Sequence, residues 1–150
     1  MWRDEAACRA CALDLASRPG LEAAFVELHG PLGAGKTTFV RHLLHALGII
    51  GPIKSPTYAL MEPYRAAERC GDFEITHFDF YRFDDPQEWE DAGFREVFAR
   101  PGLKLVEWPD KAAGLLPRCD LRIEIVPRDD GDAREVRFDA LSTRGEGLLP

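Results

Sequence analysis

A chain of 150 residues and 16.8 kDa, 45% of it hydrophobic, has the length and apolar content of a single domain spanning residues 1–150 and leaves no room for a second, substrate-binding domain. Its 26 acidic side chains outweigh 19 basic ones, for a formal charge of −7, which argues against direct binding to a nucleic-acid backbone because that requires a basic face. No run approaches the ~18 apolar residues of a membrane span, and the N-terminal "MWRDEAACRACALDLA" carries acids where a signal peptide needs a basic end, so a cytoplasmic protein is expected.

Residues 4–17 read as a helix, with Ala7, Cys8, Cys11 and Leu15 at helical spacing, and "SRPG" breaks it. Cys8 and Cys11 form a C-x-x-C, but no second pair or histidine cluster completes a zinc site. With Cys70 and Cys119 far apart, all four cysteines are expected to be reduced and buried. "AAFVEL" (residues 23–28) suits a buried strand. After the glycine-rich "GPLGAGKTT", residues 37–47 read as a helix that gathers Phe39, Val40, Leu43, Leu44 and Leu47 on one side and stops at Gly48.

Residues 52–58 read as a loop. "ALMEPY" (59–64) and "FEITHFDFYRF" (73–83), joined by the polar "RAAERCGD", read as a β-hairpin. Antiparallel pairing directly after the first nucleotide-loop helix departs from a uniform βαβ repeat and predicts a mixed sheet. Residues 86–92 and 94–99 read as short helices divided by Gly93, with the acidic run 84–91 as a solvated helix start. "LKLVEW" (103–108) is a strand ending in an acid, residues 109–116 a helical turn led by proline, and 120–126 with 134–141 a second hairpin around "PRDDGD". The fold expected is α/β, with a mixed parallel and antiparallel central sheet flanked by helices.

Gly30, Gly35, Lys36 and Thr37 satisfy G-x-x-x-x-G-K-[ST] without mismatch, between a predicted strand and a predicted helix. Glycines let backbone N–H groups turn onto phosphates, and the helix adds its positive N-terminal end. Lys36 is placed to reach the β- and γ-phosphates, the Thr37 hydroxyl to ligate Mg²⁺, and Thr38 to donate on the α-phosphate side. Magnesium further needs a hard carboxylate at a neighbouring strand end. Asp79 after "ITHF" and Glu107 after "LKLV" both fit, one holding the metal and the other orienting water or the metal's outer shell.

"SPTY" (55–58) sits where nucleotide-sensing loops sit in P-loop domains. Thr57 there could meet the γ-phosphate or the metal, or the segment could be an ordinary Ser-Pro turn. The four histidines show no shared ligand spacing; His42 and His45, three apart on a helix, lack a third ligand and are expected in surface or packing roles. Trp89 reads as a core or interface anchor, whereas Trp108 adjoins Glu107. Neither the N/T-K-x-D loop nor the D-x-x-G switch of GTPases occurs, so the nucleotide expected is ATP. Three classes remain open on these residues: an ATPase, a small-molecule kinase of the P-loop class, and a nucleotide-dependent binding module with slow hydrolysis. A kinase needs a mobile arginine-bearing lid, and the only arginines in such a segment, Arg65 and Arg69, lie at a hairpin tip.

Taken in order, "GPLGAGKTT", "SPTY", "HFDFYR" and "LVEWPD" resemble the TsaE family, and the resemblance runs from about residue 4 to the end. The phosphate loop is generic; "SPTY" followed by "HFDFYR" and "VEW" is the specific part. The resemblance implies an ATPase that binds ATP and Mg²⁺ and docks on the TsaB–TsaD pair in making threonylcarbamoyladenosine in tRNA, meeting tRNA only through that complex. It also implies Thr37 and Glu107 as magnesium ligands and residues 33–38 (Gly33, Ala34, Gly35, Lys36, Thr37 and Thr38) as the nucleotide loop. Asp79 matches the second acid, Thr57 the switch-like threonine, Trp108 the tryptophan beside the metal acid, and Gly131 an approach to the nucleotide from the late hairpin. No arginine or base is singled out beside the γ-phosphate, so hydrolysis by the lone protein is expected to be slow and to rise with its partners.

Overall fold

The computed structural model describes residues 1–150 apart from Lys54, Thr57, Tyr58 and Asp130. Helix α1 (Glu5–Ala16) starts where the Asp4 carboxylate accepts the Ala7 N–H at 2.9 Å, an N-cap, and buries Cys8, Ala12 and Leu15 along one stripe. Strand β1 (Phe25–His29) leads through the glycine-rich loop into α2 (Lys36–Ala46), which buries Phe39, Val40, Leu43 and Leu44. Strand β2 (Met61–Arg65) and β3 (Glu74–Asp79) follow, then α3 (Pro86–Asp91) and α4 (Phe94–Ala99). After β4 (Leu103–Glu107) come a 3-10 turn (Pro109–Ala112), β5 (Leu121–Pro127), β6 (Arg134–Ala140) and a short α5 (Thr143–Glu146).

The six strands form one sheet in the order β2-β3-β4-β1-β5-β6. The inner four, β3, β4, β1 and β5, run parallel, while β2 and β6 pair antiparallel at the edges. The mixed α/β fold expected from the sequence is therefore the fold found, and both hairpins are present. Parallel strands need both faces covered, which explains why β1 and β4 are buried almost throughout. On one face Val26, Leu28, Leu103, Leu105 and Ile123 meet α1 and α2; on the other Phe25, Phe78 and Val106 meet Trp89, Phe94 and Val97 of α3 and α4.

The structure differs from the sequence reading at two of the predicted elements. The strand predicted through residue 83 stops at Asp79, because Phe80 and Phe83 are drawn into the aromatic cluster by a turn in which Phe83 N–H donates to Phe80 O. The helical turn expected over 109–116 is the single 3-10 turn Pro109–Ala112. Helix α5, which no periodicity announces in four residues, is capped by the Ser142 hydroxyl accepting from Gly145 N–H at 3.0 Å.

Candidate nucleotide site

The sheet register assembles the site. Asp79 and Glu107 are Cα partners across β3 and β4, and Leu28 near the end of β1 pairs with Glu107 on its other side. The loop between β1 and α2 thus leaves the sheet directly beside two carboxylates at the C-terminal strand ends, where α/β sheets bind ligands. Gly30 is required by close approach: at φ +146, a Cβ there would lie 2.3 Å from the Ile125 carbonyl oxygen. Gly35, immediately before α2, has φ +106 and open space around it, so its need is conformational and the loop surface there is unobstructed.

Lys36 is only 4% exposed, and its Nζ donates to the carbonyl oxygens of Gly30 (2.5 Å) and Pro31 (3.0 Å) while lying 4.0 Å from the Trp108 ring centroid. Burial lowers its pKa, and the carboxylates of Glu107 and Asp79 oppose that shift. The ammonium is thus held by weak carbonyl and aromatic partners, which a polyanion would outcompete. Trp108 reaches this position through a left-handed backbone (φ 57), a conformation that costs a non-glycine residue about 1–3 kcal/mol. Its ring also meets Tyr81 at a centroid distance of 5.0 Å.

The Thr37 hydroxyl donates to Glu107 Oε1 at 2.7 Å, and the other carboxylate oxygen, Oε2, lies 2.6 Å from His77 Nε2. Glu107 is 2% exposed and His77 fully buried. Asp79, half-buried, accepts from the Ser55 hydroxyl at 2.7 Å and the Tyr81 N–H at 3.0 Å. A cleft of about 350 Å³ opens over these groups, walled by the loop and the start of α2 on one side and by Ser55, Asp79, Arg82 and Trp108 on the other. Gly33, Ala34, Gly35, Lys36, Thr37 and Thr38 all line it.

A second cleft of about 240 Å³ lies on the far side of the same loop, sharing Ala34, Gly35 and Thr38 with the first. Its other walls are Trp2, the start of α1, Asp132 of the β5–β6 turn and Arg134 at the start of β6. Trp2 forms an isolated bridge with Arg134 and stacks on Phe39 at 5.3 Å. Gly131 lies in that turn at φ +96, and its carbonyl accepts from Arg134 Nη1 at 3.4 Å. Arg134 Nε in turn donates to Ala34 O at 2.9 Å, tying the start of β6 to the glycine-rich loop. Thr57 lies outside the described residues, while its neighbour Ser55 is in the cleft wall.

A thiol-based or histidine-rich metal centre is not what these residues build: among the described residues no group of three or more His, Cys, Asp or Glu side chains could hold a metal ion. A hydroxyl and a carboxylate already in contact are hard oxygen donors, and two such ligands suit magnesium, which keeps waters and takes phosphate oxygens for the rest. Three residues of this neighbourhood were not singled out by the sequence reading: His77, Arg82 and Arg134. His77 had a signal, because it stands two residues before Asp79 and so on the same face of β3. Arg82 lay in a run taken as strand, and Arg134 becomes visible only once β6 is placed beside the loop.

Three comparisons bear on this arrangement. A family model described as threonylcarbamoyl adenosine biosynthesis protein TsaE matches residues 2–136. The chain is 41% identical over 128 residues to the tRNA threonylcarbamoyladenosine biosynthesis protein TsaE of Haemophilus influenzae, covering 85% of this chain and 77% of that one. The protein of the same description from Bacillus subtilis is 38% identical over 123 residues, covering 82% and 73%. Among solved structures, that of Bacillus subtilis YdiB superposes with a TM-score of 0.72 at 28% identity, covering 97% of this chain and 86% of that one.

Proposed function

The chain belongs to the TsaE family, and on that premise we propose that it is a Mg²⁺-dependent ATP-binding protein and slow ATPase that acts with TsaB and TsaD in threonylcarbamoyladenosine modification of tRNA next to the anticodon. The observation that carries the reading is the contact of the Thr37 hydroxyl with the Glu107 carboxylate, 2.7 Å apart, in the cleft that Lys36 also lines. Thr37 and Glu107 would hold the cation, which when bound would screen the phosphate charge. The backbone of residues 33–38 wraps the phosphates, and Lys36 exchanges its loop carbonyls for phosphate oxygens. Asp79, held by Ser55 and Tyr81 N–H, is oriented as an acceptor for water. Arg82 supplies a positive charge at the same cleft. The nucleoside end leaves past Thr38 into the second cleft, where Arg134 and the β5–β6 turn form a wall.

The test is an ATPase assay of the wild type, Glu107→Ala and Lys36→Ala, each with and without the TsaB–TsaD pair. Slow turnover alone, a rise on adding the pair, and background rates in Glu107→Ala and Lys36→Ala are expected. Full activity in either variant removes the site assignment, and no rise with the partners removes the proposed activation. A small-molecule kinase would instead transfer phosphate to one member of an acceptor panel, and such a phosphoproduct would overturn the ATPase reading.

A further inference from the structure

We infer that His77 is a positioning residue for the metal ligand Glu107: its ring, locked inside the sheet, holds one carboxylate oxygen so that the other is presented to Thr37 and the cation. The inference rests on the proposed magnesium site. His77 sits at the middle of β3 with 0% exposure and is a register partner of Leu105, two residues before the end of β4. From there its Nε2 reaches Glu107 Oε2 at 2.6 Å, while Thr37 occupies Oε1 at 2.7 Å. Both carboxylate oxygens are therefore assigned before any ligand arrives.

The tautomer follows from the surroundings. His77 Nδ1 is buried with no hydrogen-bond partner among the described residues. A bare acceptor nitrogen is easier to leave unpaired than a buried N–H donor, and a carboxylate oxygen can only accept. The ring proton accordingly belongs on Nε2, donating to Glu107. The arrangement differs from a histidine that ligates metal itself: the ring stands behind the carboxylate, in the role that outer partners play for metal-binding groups. Without it, a carboxylate that is 2% exposed would keep a single hydrogen-bond donor and be free to rotate away from Thr37.

The test measures binding, not turnover. Fluorescent N-methylanthraniloyl-ADP is titrated onto wild type, His77→Leu and His77→Gln, first in EDTA and then with increasing Mg²⁺. In wild type, Mg²⁺ is expected to tighten nucleotide binding. His77→Leu should bind the metal-free nucleotide as wild type does but need at least about tenfold more Mg²⁺ for half its effect, the range found for lost outer-shell partners. His77→Gln, whose amide can place an N–H near the Nε2 position, should return to within about threefold of wild type. Should His77→Leu fail to fold, His77→Asn, whose shorter amide does not reach Glu107, takes its place against His77→Gln. An unchanged Mg²⁺ requirement in the donor-less variant, or equal loss of metal-free binding, overturns the inference while leaving the magnesium site intact. A wild type indifferent to Mg²⁺ overturns both.

Discussion

The chemistry of the site is concentrated in a few buried polar groups, and their environments separate them from the ordinary core. Lys36 and Glu107 are charged groups with almost no exposure, tolerated because each has several fixed partners. The buried cysteines are the opposite case. Burial pushes the Cys8 and Cys119 thiols up to about 12, and all four cysteines are free. Thiols raised in this way stay protonated in the folded chain, so they are inert as nucleophiles near neutrality. The sign for stability follows: folding holds the neutral thiol, so their contribution is complete below the ordinary thiol pKa of 9.0 and is lost as pH climbs towards 12. A thiol-disulfide exchange reagent at pH 8 is therefore expected to modify half-buried Cys70 readily and Cys8 and Cys119 only on unfolding. Urea midpoints of wild type should fall more steeply between pH 9 and 11 than those of Cys8→Ala; rapid labelling of Cys8 in the native state would contradict this.

At the scale of elements, each face of the sheet has its own task. The face under α1 and α2 carries the phosphate loop, and the face under α3 and α4 is an aromatic block in which Phe78 touches Phe80, Phe94 and Phe98. Phe78 is fully buried, and Phe78→Ala should cost about 3–5 kcal/mol in urea unfolding. The β5–β6 hairpin acts on the loop from the side, through Arg134 and Ala34 O. Losing that bond by Arg134→Ala should weaken ADP binding about fivefold, equivalent to about 1 kcal/mol, and leave the fold intact. Unchanged ADP affinity would mean that the loop is held without the hairpin. These contacts also mark what the sequence could reveal. The strand, loop and helix around residues 25–46 were legible because a local pattern requires them, and Glu107 because a strand end is local too, whereas the end of β3 at Asp79 was not, since the apolar run continues to residue 83. His77 and Arg134 act through neighbours 30 and 100 residues away, and only the strand order places them. The run 80–83 misled because an apolar stretch looks alike whether it extends a strand or turns back into an aromatic cluster.

At the scale of the whole molecule, the proposed function asks a chain with a charge of −7 to bind a polyanion. The two are compatible because the proposed phosphate site would use backbone N–H groups, one buried lysine and a cation, none of which needs a basic surface. Residues 51–100 carry 11 acids against 6 bases, and the exposed acids of α3 belong to that stretch. A long nucleic-acid backbone would have to approach this surface without the lysines and arginines that release its counterions. If the protein acts on tRNA through TsaB and TsaD, the isolated chain should bind tRNA more weakly than about 100 μM at physiological salt, the weak limit of non-specific association. Fluorescence anisotropy with labelled tRNA checks this directly, with Mg²⁺ and ADP present so that the nucleotide site is filled. Adding the partner pair should bring the chain into a tRNA-containing complex. A tight complex of tRNA with the lone chain, loosening steeply between about 50 and 200 mM salt, would instead place a basic surface on this protein and make tRNA its direct ligand.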